Sequence, residues 1–177
     1  MRTLSIFIAT SLDGYIAKPN DDLSFLKLVE KEGEDYGYAE FNQTIDTIIL
    51  GRKTYDWVLK EVGSSHYDNG ARDVYVITRT ERPSVGRTKF HTGNLVELVR
   101  QLKTQEGKNI YCDGGAEIIN ALLKHDLIDE FIISVIPVLV GNGTRLFSDG
   151  RPEQELKLVS VKSFETGLTQ LRYKRKQ

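Results

Sequence analysis

The amino-acid sequence predicts an α/β fold with a mostly parallel central sheet and antiparallel strands at its C-terminal end. Short apolar runs alternate with helical patterns for most of the length, which is typical of parallel strands joined by helical crossovers. The last two runs, ELKLVSVKSF and LTQLRYKRK, instead follow each other across the turn ETG and alternate apolar with polar residues, as in a hairpin. With 177 residues, of which 40% are hydrophobic, the chain is long enough to form one domain over residues 1–177.

Each element is predicted from a local pattern. The first run is a strand covered on both faces, because apolar residues occupy both alternating sets. Asn94 is the predicted N-cap of the helix that follows it. Pro137 is expected to mark an irregularity in its strand, since proline cannot donate to a ladder. In chain order the elements are a strand over 3–10, two short helices within 23–41, a strand over 47–50, a helix from about 53, a strand over 73–79, a helix over 96–105, a strand over 108–113, a helix over 116–124, a strand over 129–140, and hairpin strands over 155–164 and 168–176.

The composition argues for a small-molecule partner. Lys and Arg total 24 against 25 for Asp and Glu, and the signs are mixed along the chain, so no broad patch for nucleic acid or an anionic membrane is expected. Cys112 is the single cysteine, which excludes an internal disulfide and a cysteine-based zinc cluster and suits a reducing compartment, the cytoplasm. The three histidines have no metal-ligand spacing, and no metal site is predicted. The N-terminal apolar run is too short for a membrane span.

Four turns are predicted to meet at one edge of the sheet. Asp13-Gly14, Gly51-Arg52, Thr78-Arg79 and Gly114-Gly115 each follow a predicted strand directly. In open α/β sheets, ligands bind beyond the carboxyl ends of the parallel strands. We therefore expect the binding site at this edge.

The junction NIYCDGGAEIINALLKH predicts a phosphate-binding turn. Gly114 and Gly115 lack Cβ atoms, so a ligand can approach the backbone, and the helix that starts at Ala116 offers N–H groups and the positive end of its dipole. An alternative is that the glycines only make a tight corner between strand and helix. The Rossmann and P-loop glycine motifs are both absent from the sequence.

The segment LGRKTYDW predicts a second phosphate-binding turn. Gly51 ends a strand, Arg52 and Lys53 are positively charged, and Thr54 offers a hydroxyl at a helix start. After the next strand, Thr78 and Arg79 are suited to the 2′-phosphate of NADPH through a bidentate contact. Thr54 as a helix cap and Arg52 as a solvated surface charge are the structural alternatives. Taken together, the turns favour NADPH over NADH.

An ordered set of segments resembles the dihydrofolate reductase-like superfamily. The segments are SLDGYIA, IILGRKTYDW, VYVITR, IYCDGGAEIINALL, LIDEFIISVIPVLVGNGTRLF and FETGLTQLRYKR, and the similarity is greatest to stand-alone proteins like the C-terminal reductase domain of bacterial riboflavin biosynthesis enzymes. The resemblance covers nearly the whole chain. It implies a three-layer reductase fold, an NADPH cleft at the strand ends, a cis peptide between the two glycines and a homodimer.

The resemblance also implies roles for particular residues. The cofactor's phosphates would be held by the two glycine turns, and the full cofactor-binding set is Ala9, Ile16, Gly51, Arg52, Lys53, Thr54, Thr78, Arg79, Gly114, Gly115, Ala116 and Glu117. Asp13 is the predicted catalytic carboxylate, which orients the substrate or relays a proton if burial raises its pKa. The alternative is an Asx-turn with Gly14. Asp113 is interpreted as the end of a strand.

The substrate side of the sequence departs from the family pattern. The region KPNDDLSFLKL lacks the Trp of true dihydrofolate reductases, so folate reduction is not expected, and the single cysteine excludes the zinc deaminase activity of the riboflavin-pathway enzymes. Substrate contacts are predicted at Asp22, Phe25, Gly143 and Thr144. Lys18 and Arg145 are the candidate contacts for a ribosyl phosphate.

The sequence therefore predicts an NADPH-dependent reductase of a small pteridine- or pyrimidine-like heterocycle, for example of the 5-amino-6-(5-phosphoribosylamino)uracil type. A second hypothesis is a non-catalytic nucleotide-binding or sensor protein that uses the same cleft. A third is an interaction module in which the glycines are only corners, and that hypothesis predicts no dinucleotide binding.

Overall fold

The computed structural model describes residues 1–67 and 70–176 and contains an eight-stranded mixed sheet. In spatial order its strands are β5 (Thr88–His91), β4 (Asp73–Ile77), β3 (Ile45–Gly51), β6 (Asn109–Gly114), β1 (Leu4–Ser11), β7 (Glu130–Ile136), β10 (Thr169–Arg175) and β9 (Leu156–Ser163). The six strands from β5 to β7 are parallel, and β10 and β9 follow as an antiparallel hairpin. The predicted fold class is confirmed.

Helices cover both faces of the sheet. Buried residues of α3 (Leu95–Thr104) and α4 (Ala116–Leu123) share one apolar cluster with Leu4, Ile6 and Ile49. Residues of α1 (Tyr38–Gln43) and α2 (Arg52–Glu61) share a second cluster with Ile48 and Leu50. Successive residues of a strand point to opposite faces. Ile48, Ile49 and Leu50 therefore alternate between the two clusters and form the middle of three layers.

Several local predictions are confirmed and others are corrected. The side chain of Asn94 caps α3 by accepting hydrogen bonds from the amides of Val96 at 2.9 Å and Glu97 at 3.2 Å. The strand predicted over 129–140 ends at Ile136, before the proline. The first of the two predicted short helices is a 3₁₀-helix, Ser24–Val29, and further 3₁₀ turns lie at Pro19–Asp21 and Ser64–His66. The structure also contains β5 and a small antiparallel ladder of β2 (Tyr15–Ala17) with β8 (Thr144–Arg145), which are not among the elements predicted from the sequence.

The topology brings the four predicted turns to one edge. Because β1, β3, β4 and β6 are parallel neighbours or near neighbours, their carboxyl ends point the same way. The convergence expected from the sequence is thus confirmed for this strand-end edge. Within the described ranges, none of the helices combines the length and apolar character needed to cross a bilayer.

Candidate active site

Two helix N-termini lie side by side at the strand-end edge. Gly51 occupies the N-cap position of α2 and Gly115 that of α4, and being glycines they cap neither helix with a side chain. A Cβ atom built on Gly51 would lie 3.8 Å from the carbonyl oxygen of Gly114 and 3.9 Å from the nitrogen of Gly115. A Cβ atom on Gly115 would lie 3.3 Å from the hydroxyl oxygen of Thr54. The two turns therefore form one cradle, and the Gly114–Gly115 peptide bond within it is cis.

The charged residues beside this cradle differ in how far they are already paired. The guanidinium of Arg52 lies 2.6 Å from the Asp56 carboxylate one turn along α2, and Arg82 approaches the same carboxylate at 3.4 Å. Lys53 is exposed. Arg52 would have to share its charge between Asp56 and a ligand, whereas the Thr54 hydroxyl forms no hydrogen bond with any residue in the described part of the chain.

Thr78 and Arg79 lie at the end of β4, next to β3. Thr78 is 9% exposed, and its hydroxyl interacts with the backbone of Thr80, which makes a small local turn. Arg79 is exposed and forms no ion pair with any residue in the described ranges. Its charge is available to a ligand at this edge.

Asp13 joins two loops and carries no proton at neutral pH. Its carboxylate accepts hydrogen bonds from the hydroxyl of Ser11 at 2.5 Å and from the amides of Val140 at 3.0 Å and Gly141 at 2.7 Å. The Ser11 hydrogen bond is the largest cause that lowers the pKa of Asp13 to about 2. The predicted proton relay required burial to raise this pKa, and that condition is not met.

Asp113, which the sequence predicts only as the end of a strand, is a second carboxylate at this edge. It lies directly before Gly114 and is partly buried. The Tyr111 hydroxyl donates to one of its oxygens at 2.6 Å, and the Tyr67 hydroxyl donates to the other. Desolvation raises the pKa of Asp113, against the opposing effect of the two tyrosine hydrogen bonds. Because Tyr111 and Asp113 are two residues apart on one strand, their shared face could have been read from the sequence.

A cavity of about 550 Å³ lies beside the C-terminal half of β1. Phe7 connects it to the Asp113 cluster, because Phe7 lines the cavity and its carbonyl oxygen lies 3.2 Å from the Tyr111 hydroxyl. Of the predicted cofactor contacts, Ala9 also lines the cavity. The complete lining is Phe7, Ile8, Ala9, Leu26, Val29, Glu30, Lys31, Glu32, Glu34, Asp35, Tyr36, Ser134, Ile136 and Leu168.

Two further predicted cofactor contacts have other surroundings. Ile16, on β2, is partly buried and packs against the apolar cluster under α3 and α4. Glu117 is exposed in the first turn of α4, directly after Ala116, and its side chain lines a separate groove with Asn120 and Lys124. Glu117 can therefore offer its backbone N–H to a ligand, but its carboxylate would repel a phosphate.

None of the four predicted substrate contacts is part of the cavity lining, and their role stays a prediction. Phe25 is 2% exposed and packs in the core beneath the cavity. Asp22 is exposed and accepts a hydrogen bond from the amide of Ser24 at 2.7 Å, so it organises its own turn.

Thr144 belongs to the small ladder of β2 and β8, and Gly143 lies directly before it. A Cβ atom on Gly143, whose φ is +140°, would lie 2.0 Å from the carbonyl oxygen of Ala17. Thr144 pairs with Ala17 in the same ladder. The glycine is therefore required by the close approach of two backbones, which no local sequence pattern reveals.

Over the described ranges, His, Cys, Asp and Glu side chains form no group of three or more that could hold a metal ion. The site contains instead a cradle of backbone N–H groups, an unpaired arginine, a carboxylate held by two tyrosines, and an adjoining cavity. This set of groups suits a phosphate-bearing organic cofactor and a second, smaller ligand.

Known proteins are similar to this chain in both sequence and architecture. The family model described as the RibD C-terminal domain matches residues 2–170. The uncharacterized protein YwjB of Bacillus subtilis strain 168 is 39% identical over 175 residues, which cover 98% of each chain.

Solved structures extend the comparison to the fold. A protein from Shewanella sp. PV-4 that is named for riboflavin biosynthesis superposes with a TM-score of 0.88 and 31% identity over 99% of both chains. Dihydrofolate reductase from Enterococcus faecalis, in complex with NADP(H), superposes with a TM-score of 0.64 and 18% identity over 99% of this chain and 97% of its own. The last similarity shows a dihydrofolate reductase-like fold.

Proposed function

Because the chain belongs to the RibD C-terminal domain family, we propose that it is a reductase that uses NADPH to reduce a small pteridine- or pyrimidine-like heterocycle. The observation that carries the proposal is the adjacency of the α2 and α4 N-termini. Backbone N–H groups and helix dipoles at such positions favour phosphate oxygens. Two of them meeting around glycines, with the Thr54 hydroxyl 3.3 Å from the site of a Gly115 Cβ, match a diphosphate better than a single phosphate.

The neighbouring turn supports the choice of NADPH over NADH. Arg79 follows β4, which pairs with β3 in the sheet, so its exposed guanidinium lies at the same edge as the cradle. Guanidinium groups bind phosphates through paired N–H donors. In the proposed function Arg79 contacts the 2′-phosphate that distinguishes the two cofactors, and Thr78 contributes its hydroxyl.

Asp113 would supply the proton that accompanies reduction. When bound, the nicotinamide supplies the hydride, so the protein needs to position the substrate and donate at most one proton. A carboxyl group with a raised pKa keeps its proton at a higher pH than an ordinary aspartate does, which suits a general acid. Tyr67 and Tyr111 hold the group in place, and the Tyr111 hydroxyl also donates to the carbonyl oxygen of Phe7, a residue that lines the cavity where the substrate would bind.

Two experiments test the proposal. Calorimetric titration with NADPH and with NADH measures cofactor binding, and the nicotinamide absorbance in the presence of a panel of pterins and pyrimidine ribosides measures turnover. Removing a charged hydrogen bond of 1.5–3 kcal/mol weakens binding about 10- to 150-fold. Arg79→Ala should therefore weaken NADPH by this factor and leave NADH nearly unchanged. Arg87→Ala is the control, because Arg87 pairs with Asp73 at the opposite edge of the sheet. Equal losses for both cofactors would contradict the assignment of Arg79.

The sensor hypothesis makes a different prediction in the same assay. A sensor binds NADPH and oxidises none of it with any member of the panel. The cluster around Asp113 favours the enzyme, because carboxyl groups whose pKa is raised by desolvation beside a cavity are concentrated at catalytic sites.

We also propose that the protein is a cytoplasmic homodimer. Cys112 is buried in the sheet, in keeping with a thiol that needs no oxidising compartment. The edge strand β9 exposes Leu158, Val159 and Val161 at 50%, 45% and 53%, and a second copy of the chain would cover such an edge. Light scattering of the wild type and of Val161→Lys tests the dimer, which the lysine should dissociate.

A further inference from the structure

The mouth of the cavity beside β1 is strongly acidic. Its charged residues come from the segment between the 3₁₀-helix Ser24–Val29 and α1, and they are Glu30, Lys31, Glu32, Glu34 and Asp35. The single lysine lies 2.6 Å from the carboxylate of Glu165, so its charge is already shared. The strands that line the cavity contribute no charged side chain to it. A ligand in this cavity therefore faces a clear excess of negative charge.

Two of these carboxylates are fixed by the backbone. Asp35 accepts hydrogen bonds from the amides of Ala39 at 2.8 Å and Gly37 at 2.9 Å. Glu34 accepts one from the amide of Tyr36 at 2.8 Å. Asp35 is thus held by hydrogen bonds at the start of α1 and Glu34 by one just before it, and neither can move away from an anionic ligand without breaking those bonds.

The floor of the cavity is apolar. Phe7, Leu26, Val29, Ile136 and Leu168 form it, and they offer van der Waals contact to a flat ring. A ring on this floor would lie near the Asp113 cluster through Phe7. Substituents on the far side of the ring would then point towards the acidic mouth.

The cations considered for a substrate phosphate are engaged elsewhere. The ammonium group of Lys18 donates to the hydroxyl of Ser24 at 2.9 Å, and the guanidinium of Arg145 lies 4.8 Å from the ring centre of Tyr15. Neither residue lines the cavity. Among the residues that the structure describes, Lys31 is therefore the only basic residue of the lining, and it is paired with Glu165.

From these observations we propose that the substrate is an uncharged or cationic heterocycle that carries no phosphate or carboxylate. The inference rests on the proposed reductase function and narrows its substrate class away from phosphoribosyl compounds. Like charges at close range repel, and an interface uses such repulsion to reject the wrong ligand. The acidic mouth acts here as a filter against anionic tails, while the apolar floor accepts the ring.

Matched ligand pairs test the inference by direct binding to the NADPH-loaded protein at low ionic strength. One pair is a diaminouracil riboside and its 5′-phosphate, and the other is dihydrobiopterin and dihydrofolate, which carries a glutamate tail. We expect the uncharged member of at least one pair to bind at least about tenfold more tightly than its anionic partner. The difference should shrink as salt is added, because the mouth is exposed.

Charge-neutralising variants test whether the acidic mouth causes the discrimination against anionic ligands. Glu30→Gln/Glu32→Gln should reduce the discrimination, since both side chains are exposed at the mouth. Glu106→Gln/Glu153→Gln removes the same charge from exposed loops before β6 and β9, at the opposite edge of the sheet, and should leave it unchanged. The inference is overturned if the anionic member binds equally or better, if neither uncharged member binds, or if both double variants behave alike. Failure of the reductase function itself would appear separately, as an absence of NADPH binding or oxidation.

Discussion

The substitution Gly115→Ala tests whether a ligand approaches the backbone of the glycine turn. The backbone of Gly115, at φ −61° and ψ −172°, is one that alanine also adopts, so no strain from dihedral angles is expected. The new methyl group would lie 3.3 Å from the Thr54 hydroxyl, a side-chain atom that can move by a few tenths of an ångström. We therefore expect the free energy of unfolding to fall by at most about 1 kcal/mol.

Cofactor binding should respond much more strongly than stability. In the proposed function, the methyl group would occupy the space through which a phosphate oxygen reaches the first-turn N–H groups of α4. Loss of one or two hydrogen bonds to a charged group, at 1.5–3 kcal/mol each, weakens binding by a factor between about 10 and 10⁴. Titration calorimetry with NADPH measures the loss, and urea unfolding measures the stability of the same variant.

Two controls distinguish a clash of the new methyl group with Thr54 from a clash with the bound phosphate. Thr54→Ala removes the hydroxyl and should cost one hydrogen bond. The double variant Gly115→Ala/Thr54→Ala gives the methyl group room within the protein, but it should still bind NADPH weakly because the methyl group remains in the path of the phosphate. Wild-type affinity in Gly115→Ala would show that no phosphate lies at this turn.

Three other substitutions test particular residues. Gly143→Ala should lower the free energy of unfolding in urea by about 3 kcal/mol or more, since its Cβ would lie 2.0 Å from the backbone oxygen of Ala17. Gly141→Ala is the control: no atom lies within 4 Å of its Cβ, and it should cost only about 1–2 kcal/mol for its positive φ. Asp113→Asn should lower kcat about 100-fold or more. The pKa of this carboxyl is raised in the folded protein, so its contribution to the free energy of unfolding of the wild type falls as pH rises above about 4. The variant should lack this fall in unfolding curves measured between pH 4 and 8. Asp13→Asn should speed hydrogen exchange at the Gly141 amide, which donates to the Asp13 carboxylate. The pKa of this carboxyl is lowered to about 2, so in the wild type the hydrogen bond should persist above pH 4 and be lost as pH falls towards 2.

The sequence predicts the parallel strands and their shared edge because the signals are local. Apolar runs that end at Gly51 or Gly114 define both the strand and its turn, and parallel topology then brings the turns together. The cap at Asn94 is equally local. By contrast, β5 is a four-residue strand with an exposed Lys89 in it, and its pairing with β4 is what makes it a strand.

The substrate side could not be predicted because its contacts are long-range. The Tyr67 hydroxyl meets Asp113 from 46 positions away, and no pattern in either segment indicates the pairing. The cavity mouth comes from residues 30–36, whose polar residues indicate a loop but not what the loop faces. Asp13 shows the same limit: its carboxylate anchors a loop through the amides of Val140 and Gly141, which lie 127 and 128 positions away, and no pattern near Asp13 indicates this contact.

A crystal structure of the protein with NADPH is the most direct test of the central claim that the α2 and α4 N-termini together bind a diphosphate. The account predicts diphosphate oxygens within hydrogen-bonding distance of the backbone at Gly115 and Ala116 and of Thr54, with the nicotinamide directed towards the cavity beside β1. A cofactor bound away from these turns, or crystals that take up no NADPH at saturating concentration, would contradict it.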